Sequence, residues 1–357
     1  IVQLMDSKEK RNILMSKTKQ KINEWLLENS IPCIENLELR NKSWLKAGGI
    51  IKFFITPISE DQCKKIVLYF SKNKINFYVL GNISNVILRD GLISTPIINL
   101  SKLNEIKILS SQNNLKLNVE CGVPIPRFAN FVIKQGFKGT EGLLGIPGTV
   151  GGGIYMNASS YGNNLSDCLL SVKVIDEKGN IIELNKKDLN FTWRKSILHE
   201  KKLIAISCIF DFPSNNRVDV KEIQNKSKKI MIHRKTFQES DLPNLGSIFA
   251  TKNIYKELSK INIYFFLLYL INKVGTFIMF KFFKSKIRNY RKKIMSLYAK
   301  SLNLEKFKKF SVSEKTLNCL INKGSSEASE AIELLKLFES KTKHIVKMEN
   351  IILDQID

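Results

Sequence analysis

The chain has 357 residues, 43% of them hydrophobic, and a formal net charge of +24 at pH 7. This length is too great for one ordinary hydrophobic core and predicts two or three subdomains. The charge alone would suit a nucleic-acid or anionic-membrane partner. However, the basic residues are mostly scattered lysines and no nucleic-acid-binding motif accompanies them, so we expect no nucleic-acid binding.

The cysteines and histidines point to no metal centre. The six cysteines form no CxxC pair, and the three histidines do not fall at metal-ligand spacing. The first 17 residues lack the apolar core of a signal sequence. We therefore expect reduced thiols, no bound metal and a cytoplasmic location.

The first 213 residues predict α/β structure followed by mixed structure. Residues 1–40 are polar and charged, which indicates a helix and a linker. Helical spacing of apolar residues predicts helices over 59–74 and 125–136. Apolar runs bounded by turn residues predict strands at 51–57, 76–81, 85–90, 96–100, 106–110, 115–122 and 203–212, and a hairpin over 170–184. The first of these elements alternate as in a βαβ unit.

The chain changes character after a break at 213–217. A charged helix is predicted over 218–236, a loop over 237–250 and a capped helix near the C-terminus, with its N-cap among Ser326 to Ser329. Between them, residues 252–310 contain fifteen Lys or Arg against two Glu, around an apolar run at 261–283.

The apolar run leaves two alternatives open. Asn272 and Lys273 interrupt it, so its uninterrupted lengths fall short of the about 20 residues that cross a bilayer. It either forms a helical hairpin packed on the neighbouring domain, which we favour slightly, or a lysine-flanked pair that makes weak peripheral membrane contact through 261–293. The basic flank could instead attract an anionic sugar nucleotide.

A glycine cluster, GIPGTVGGG at 145–153, is the densest local signal. Glycine has no Cβ and lets a backbone approach another body, so the cluster predicts a loop around a ligand. By itself it could equally be a tight strand-to-helix connection.

Six motifs in order carry a resemblance to a known family. They are NKSWLKAGG (41–49), LGNISNVILRDG (80–91), GTEGLLGIPGTVGGGIYMNASSYG (139–162), FTWRKS (191–196), RKTFQESDLPNLGSIF (234–249) and SEKTLNCLINKG (313–324). In this order they resemble UDP-N-acetylenolpyruvoylglucosamine reductases, the NADPH-consuming FAD enzymes that complete UDP-N-acetylmuramate for peptidoglycan. The resemblance implies an α+β protein in which a two-subdomain PCMH-type FAD-binding α/β region (41–213) precedes a smaller α+β substrate domain (214–357) with a helical insert at 252–310.

The resemblance also implies site residues. Two turns would enclose the flavin diphosphate, with Asn157 beside them: Gly81, Asn82, Ser84 and Asn85, and then Gly148, Thr149, Gly151, Gly152 and Gly153. Closely spaced backbone N–H groups form such anion sites. Arg194 would hold and polarise the substrate carboxylate, and Ser247 would donate the proton. Substrate contacts would come from Arg234, Gln238, Thr251 and Tyr161. An isolated arginine or serine of this kind would more simply be a surface ion pair or a turn residue.

The C-terminus departs from the family pattern. The family ends in a Leu-Glu-Pro-Glu-Val signature whose second Glu completes the catalytic set, whereas an ungapped alignment places Asp354 at the first Glu and Ile356 at the second. Either Asp354 or Asp357 serves as the acid, or the terminus is incomplete, or the chemistry differs. Two further alternatives therefore stay open: a paralogue acting on another nucleotide sugar in surface glycan synthesis, and a flavin-binding protein without turnover. The choice between NADPH and NADH as reductant and the oligomeric state also stay open.

Overall fold

The structure, a computed structural model, describes residues 21–342 and 345–354. In chain order its first elements are helix α1, of which residues 21–28 are described, β1 (Cys33–Glu38), β2 (Ile50–Ile55), α2 (Glu60–Lys72), β3 (Tyr78–Leu80), β4 (Val86–Leu88), β5 (Leu92–Ile93) and β6 (Ile97–Asn99). Strands β2 and β3 both pair with β6 in parallel. Helix α2 crosses between β2 and β3, which run parallel on either side of β6, and so forms the βαβ unit that the sequence predicts.

A second sheet of five antiparallel strands follows. It consists of β7 (Ile106–Ser110), β8 (Leu115–Glu120), β11 (Leu169–Ile175), β12 (Ile181–Asn185) and β13 (Ile204–Phe212), in the order β12–β11–β13–β8–β7. Residues of β8 are alternately buried and partly exposed, as in a strand with one covered face. Helix α3 (Ile125–Lys134) covers that face, where Phe128 lies 4.6 Å from the ring of Phe210. Between α3 and β11 lie helix α4 (Val150–Tyr155) and the short hairpin of β9 (Ser159–Ser160) and β10 (Asn163–Asn164).

The C-terminal elements return to the first half of the chain. They are α5 (Val220–Phe237), α6 (Ile254–Leu258), α7 (Ile263–Phe282), α8 (Ile287–Ser301), β14 (Phe310–Val312), β15 (Leu320–Asn322), α9 (Ser329–Lys341) and β16 (Ile351–Leu353). Strand β16 pairs in parallel with β4, so residues before β16 lie beside the first predicted turn. One hydrophobic core contains Phe249, Phe338 and Tyr298 together with Leu45 and Ile87, and thereby joins the two halves of the chain.

The insert is helical, and α7 runs straight through the predicted interruption at Asn272 and Lys273. Asn272 is buried, and its Oδ1 accepts a hydrogen bond from Thr276 at 3.1 Å, so a polar side chain is accommodated within the helix. Helix α7 is thus 20 residues long with a mean hydropathy of 1.7, enough by length and composition to cross a bilayer. The expectation that its apolar length falls short of this was therefore wrong.

The N-cap of α9 falls within the predicted range, but the capping group differs from the prediction. The N-cap residue is Ala328, and no side chain of the predicted stretch caps the helix. Asp90, 238 residues away from Ala328, accepts hydrogen bonds from the N–H groups of Ala328 at 2.7 Å and Ser329 at 2.8 Å. A carboxylate at a helix N-terminus is electrostatically favourable, so a tertiary contact replaces the local cap.

Candidate functional site

A cleft of about 2050 Å³ is lined by residues from both halves of the chain. Every predicted site residue except Asn157 and Asp354 lines it. The fold therefore brings together motifs that lie as far apart as residues 81 and 247 in the chain. Both glycine turns, Arg194 and Ser247 thus face one continuous space.

The turn between β3 and β4 offers unpaired backbone donors. Within the described part of the chain, the N–H groups of residues 82–85 donate no hydrogen bond. Ile83 has φ of 50°, a left-handed conformation that is rare for a β-branched residue. The side-chain amide of Asn99 holds the turn by donating to the carbonyls of Leu80 at 3.0 Å and Gly81 at 2.6 Å. Successive free N–H groups around a left-handed residue form a concave site for an anion such as a diphosphate.

The second turn contributes shape more than free donors. Thr149 caps α4 by accepting from the N–H of Gly152 at 3.3 Å, and the N–H groups of Val150 and Gly151 donate to the carbonyls of Val123 and Cys121. A Cβ on Gly81 would lie 2.3 Å from the Thr149 hydroxyl oxygen. The two turns therefore touch because Gly81 has no side chain.

The glycines of the cluster divide into two groups. A Cβ on Gly151 or Gly153 would meet neighbouring side chains at 2.8 or 2.5 Å, so protein packing alone requires those glycines. A Cβ on Gly148 or Gly152 would meet no protein atom closer than 3.6 or 3.5 Å. Only a bound ligand would need bare backbone at these two positions. The residues present thus fit the diphosphate of FAD, the cofactor that the resemblance implies.

Two alanine substitutions separate packing from ligand contact. Gly152→Ala should leave the free energy of unfolding unchanged or raise it by about 0.5–1 kcal/mol, because alanine favours helix. It should nevertheless weaken FAD binding at least about tenfold. Gly81→Ala should lower the free energy of unfolding, because its Cβ would collide with Thr149. Thermal unfolding of FAD-free protein and FAD titration measure the two effects. Unchanged FAD affinity in Gly152→Ala would contradict the cradle.

Arg194 faces a buried carboxylate, Glu349, that was not among the predicted site residues. Its Nε lies 3.0 Å from Oε1 of Glu349, although the N–H is poorly aligned for a hydrogen bond. The side chains are only 18% and 13% exposed. Burial raises the pKa of Glu349 above its usual value, and the nearby Arg194 opposes this effect only in part. The cleft thus contains a cation and an acid that is easier to protonate than an ordinary glutamate.

The remaining donors of Arg194 are weakly held. Its terminal nitrogens reach the hydroxyl of Ser159 at 3.2 Å and the Ser159 carbonyl at 3.5 Å. Arg194 has φ of 59°, and its guanidinium lies 5.2 Å from the Trp193 ring. Trp193 in turn donates from Nε1 to the carbonyl of Ala250 at 3.2 Å. The ring therefore anchors the arginine loop to the segment after Ser247. The guanidinium still has N–H groups that could donate hydrogen bonds to a bound carboxylate.

Ser247 is exposed in the cleft on a firmly held segment. Gly246 before it has φ of 70°, which glycine adopts readily. After it, the N–H of Phe249 donates to Oδ1 of Asn318 at 2.8 Å, and the N–H of Glu349 donates to the carbonyl of Ile248 at 2.7 Å. The serine and the buried glutamate are thus carried on adjacent, hydrogen-bonded segments.

Asn350 links this segment to the first turn. Its amide nitrogen donates to Oδ1 of Asn85 at 2.7 Å and to the carbonyl of Ser247 at 3.2 Å. The amide nitrogen of Asn85 donates to the carbonyl of Glu349 at 3.1 Å. The predicted turn residue Asn85 therefore positions the acid as well as lining the cleft.

The structure does not bring Asp354 to Arg194. Asp354 lies beyond β16, ion-paired with Arg89, and its side chain is 53% exposed. If Glu349 is aligned with the second Glu of the family signature instead, Val346 takes the position of the signature Leu. Val346 is buried, as an apolar signature residue would be. The overlooked signal was a glutamate shortly before the apolar run Ile351–Leu353. Ile356 and Asp357 lie outside the described residues.

Asn157 and Arg234 make mainly protein contacts. Asn157 donates to the carbonyl of Thr192 at 2.9 Å, which ties α4 to the arginine loop. The terminal nitrogens of Arg234 donate to the carbonyls of Gly142 and Gly145, the Ser160 hydroxyl and Oε1 of Gln238. The same bonds engage Gln238, so this pair joins α5 to the loop that precedes α4.

Tyr161 and Thr251 line the cleft from opposite halves of the chain. The Tyr161 hydroxyl lies 2.8 Å from Nδ1 of His233 on α5, and burial raises its pKa. Thr251 accepts a hydrogen bond from the N–H of Asn253 at 3.2 Å just before α6. Both side chains are therefore oriented by neighbouring protein groups.

Comparisons with known proteins identify the family and the fold. A family model described as an FAD binding domain matches residues 51–185. UDP-N-acetylenolpyruvoylglucosamine reductases of Caldicellulosiruptor bescii and Carboxydothermus hydrogenoformans are each 33% identical, over 63% and 65% of this chain and 71% and 75% of theirs. The crystal structure of the Thermus caldophilus reductase matches with a TM-score of 0.64 at 18% identity, covering 91% of this chain and 99% of that one. The predicted α+β class with a PCMH-type FAD-binding region is confirmed, and the chain belongs to the UDP-N-acetylenolpyruvoylglucosamine reductase family.

Proposed function

We propose that this protein reduces UDP-N-acetylglucosamine enolpyruvate to UDP-N-acetylmuramate with NADPH, in the cytoplasm, as a step of peptidoglycan precursor synthesis. The observation that carries the proposal is the cleft itself, in which Arg194, Glu349 and Ser247 share one space with the two glycine turns. Family membership supports the same reaction.

The turns at 81–85 and 148–153 would hold the diphosphate of FAD, the first through its free N–H groups and the second through bare backbone at Gly148 and Gly152. Asn157 would support the second turn from behind. The chemistry that bound FAD supplies is hydride transfer, from NADPH to the enolpyruvyl carbon. The protein must then handle the negative charge and the proton that this reduction requires.

Arg194 would bind the substrate carboxylate. Its bonds to the Ser159 carbonyl are long, so exchanging them for bonds to a charged carboxylate is favourable. Negative charge accumulates on the carboxylate side as the double bond is reduced, and a fixed, partly buried cation stabilises that charge more strongly than water does.

Glu349 would act as a neutral acid beside the same carboxylate. Its pKa is already raised by burial, and a second carboxylate brought to Arg194 raises it further, since like charges disfavour ionisation. Protonated Glu349 can then donate a hydrogen bond to the oxygen that gains negative charge. Ser247, exposed in the cleft, would deliver the proton to the carbon next to the site of reduction.

The surrounding residues would bind the rest of the substrate. Tyr161 and Thr251 are proposed to contact the sugar nucleotide directly. Arg234 and Gln238 are proposed to act mainly by holding α5 against the cradle, because their polar groups are already engaged. The division into an FAD-binding part (41–213) and a substrate domain (214–357), with its insert at 252–310, also remains our proposal.

A steady-state assay of the purified full chain tests the function. We expect a protein with flavin absorption that oxidises NADPH only when the enolpyruvyl sugar is present. Folded protein that cannot be reconstituted with FAD would contradict the cofactor site. Bound FAD with turnover only on another nucleotide sugar, or with no turnover, would instead contradict the proposed substrate or the proposed activity.

A further inference from the structure

Helix α7 presents a continuous apolar face to solvent. Phe265, Leu268 and Asn272 form its buried face. Large apolar side chains on the other side are between 39% and 71% exposed: Ile263, Phe266, Leu267, Leu270, Ile271, Val274, Phe277 and Ile278. At about 100° per residue these positions form one stripe opposite the buried face, along a helix about 30 Å long. We call this stripe the outer face of α7.

The rim of the outer face is basic. Residues 261–293 contain eight Lys or Arg and no Asp or Glu. Among the described residues, the ion pairs in this stretch involve only Arg288 and Lys292. The exposed lysines at the end of α7 lie over aromatic rings, with Lys281 Nζ 5.8 Å from the Phe277 ring and Lys286 Nζ 5.9 Å from the Phe283 ring. Such side chains keep their charge at the border between apolar and polar surroundings.

We propose that the outer face of α7 docks onto an anionic lipid bilayer, with the helix lying in the plane of the interface. An apolar stripe rimmed by lysines matches the acyl boundary and the anionic headgroups of such a surface. A second copy of the chain fits less well, because pairing two outer faces would bring two sets of unpaired lysines together.

Packing of the inner side determines the in-plane orientation. Phe265 stacks on the fully buried Tyr298 with 6.1 Å between ring centroids, and both belong to the core that joins the two halves of the chain. The Tyr290 hydroxyl donates to the carbonyl of Ile271 at 2.7 Å. Crossing the bilayer would break these contacts, whereas lying on it leaves them intact.

Flotation of the full chain with vesicles tests the apolar part of the proposal. We expect binding to phosphatidylcholine vesicles that contain phosphatidylglycerol, and at least about tenfold less bound protein for Leu270→Glu/Phe277→Glu. The control Leu109→Glu/Ile181→Glu likewise replaces two exposed apolar residues with Glu, but on strands, and should bind like the wild type. Thermal unfolding and FAD content verify that each variant is folded. Equal binding by the α7 variant and the wild type overturns the proposal.

A charge reversal tests the basic rim. Lys281→Glu/Lys284→Glu should lose binding to the anionic vesicles, whereas Lys64→Glu/Lys72→Glu on α2, with the same net charge, should retain it. Equal binding to vesicles of phosphatidylcholine alone overturns the anionic specificity. If the wild type sediments as a dimer and Leu270→Glu/Phe277→Glu sediments as a monomer, the outer face of α7 binds a second copy of the chain instead. Resistance to alkaline carbonate extraction from vesicles overturns the in-plane orientation.

Discussion

Ser247→Ala is expected to lower the rate of substrate reduction by about 10²–10⁴-fold, the usual contribution of a positioned general acid. FAD should stay bound and NADPH should still reduce it, because the change removes only the Ser247 hydroxyl and leaves the Ser247 carbonyl, which Asn350 links to the first turn. Single-turnover mixing of the reduced protein with the enolpyruvyl sugar measures this step directly. The KM should change little, since the loss falls on proton delivery and not on binding.

Ser240→Ala is the matched control for this variant. Ser240 is exposed on the same loop, and its hydroxyl bonds only to groups outside the catalytic set, Asp241 and Lys315. It should retain wild-type turnover. If Ser247→Ala incorporated solvent deuterium into the product at the wild-type rate, Ser247 would not be the proton donor.

Glu349→Gln is expected to lower turnover by about 10²–10³-fold, because an amide cannot share a proton with the developing negative charge. It should also abolish a proton uptake on substrate binding. In the wild type, the substrate carboxylate beside Arg194 should raise the pKa of Glu349 further, so that up to about one proton per site enters from solvent. Binding titrations in a weakly buffered indicator dye measure this uptake.

Stability against pH gives an independent readout for Glu349. Its pKa in the folded state is raised above 4.5, so its contribution to stability is present below that pH and is lost as pH rises through the raised value. The free energy of unfolding of the wild type, relative to Glu349→Gln, should therefore fall across this interval. A stability difference between the wild type and Glu349→Gln that does not change with pH in this interval would mean that Glu349 is an ordinary carboxylate.

The glycine turns illustrate what local sequence determines. Gly81, Gly148 and Gly152 occur in short segments that the sequence marks as turns, and the cleft brings those segments together. Strand and helix positions such as β2, α2, β8 and α3 follow equally from apolar periodicity. Even so, the sequence could not show that Gly151 and Gly153 are required by packing against protein, because their partners Cys121 and Leu165 lie outside the motif.

The acid beside Arg194 illustrates what local sequence leaves open. An ungapped alignment to the family signature suggests Asp354, whereas the pairing of Ile351 with Val86 directs Glu349 into the cleft and leaves Asp354 beside Arg89. A strand shifted by one residue reverses which side chains face inward, and nothing within residues 346–354 specifies the register. The cap of α9 by Asp90 has the same character, since the capping group is distant in the chain.

The sequence by itself determined the family and the cofactor, because motif order carries that information, and it predicted the two glycine turns as the cofactor site. Only the tertiary structure decided which carboxylate meets Arg194, which glycines serve packing and which face of α7 is left uncovered. These features depend on contacts between distant segments, whose geometry arises only when the sheets and helices pack together.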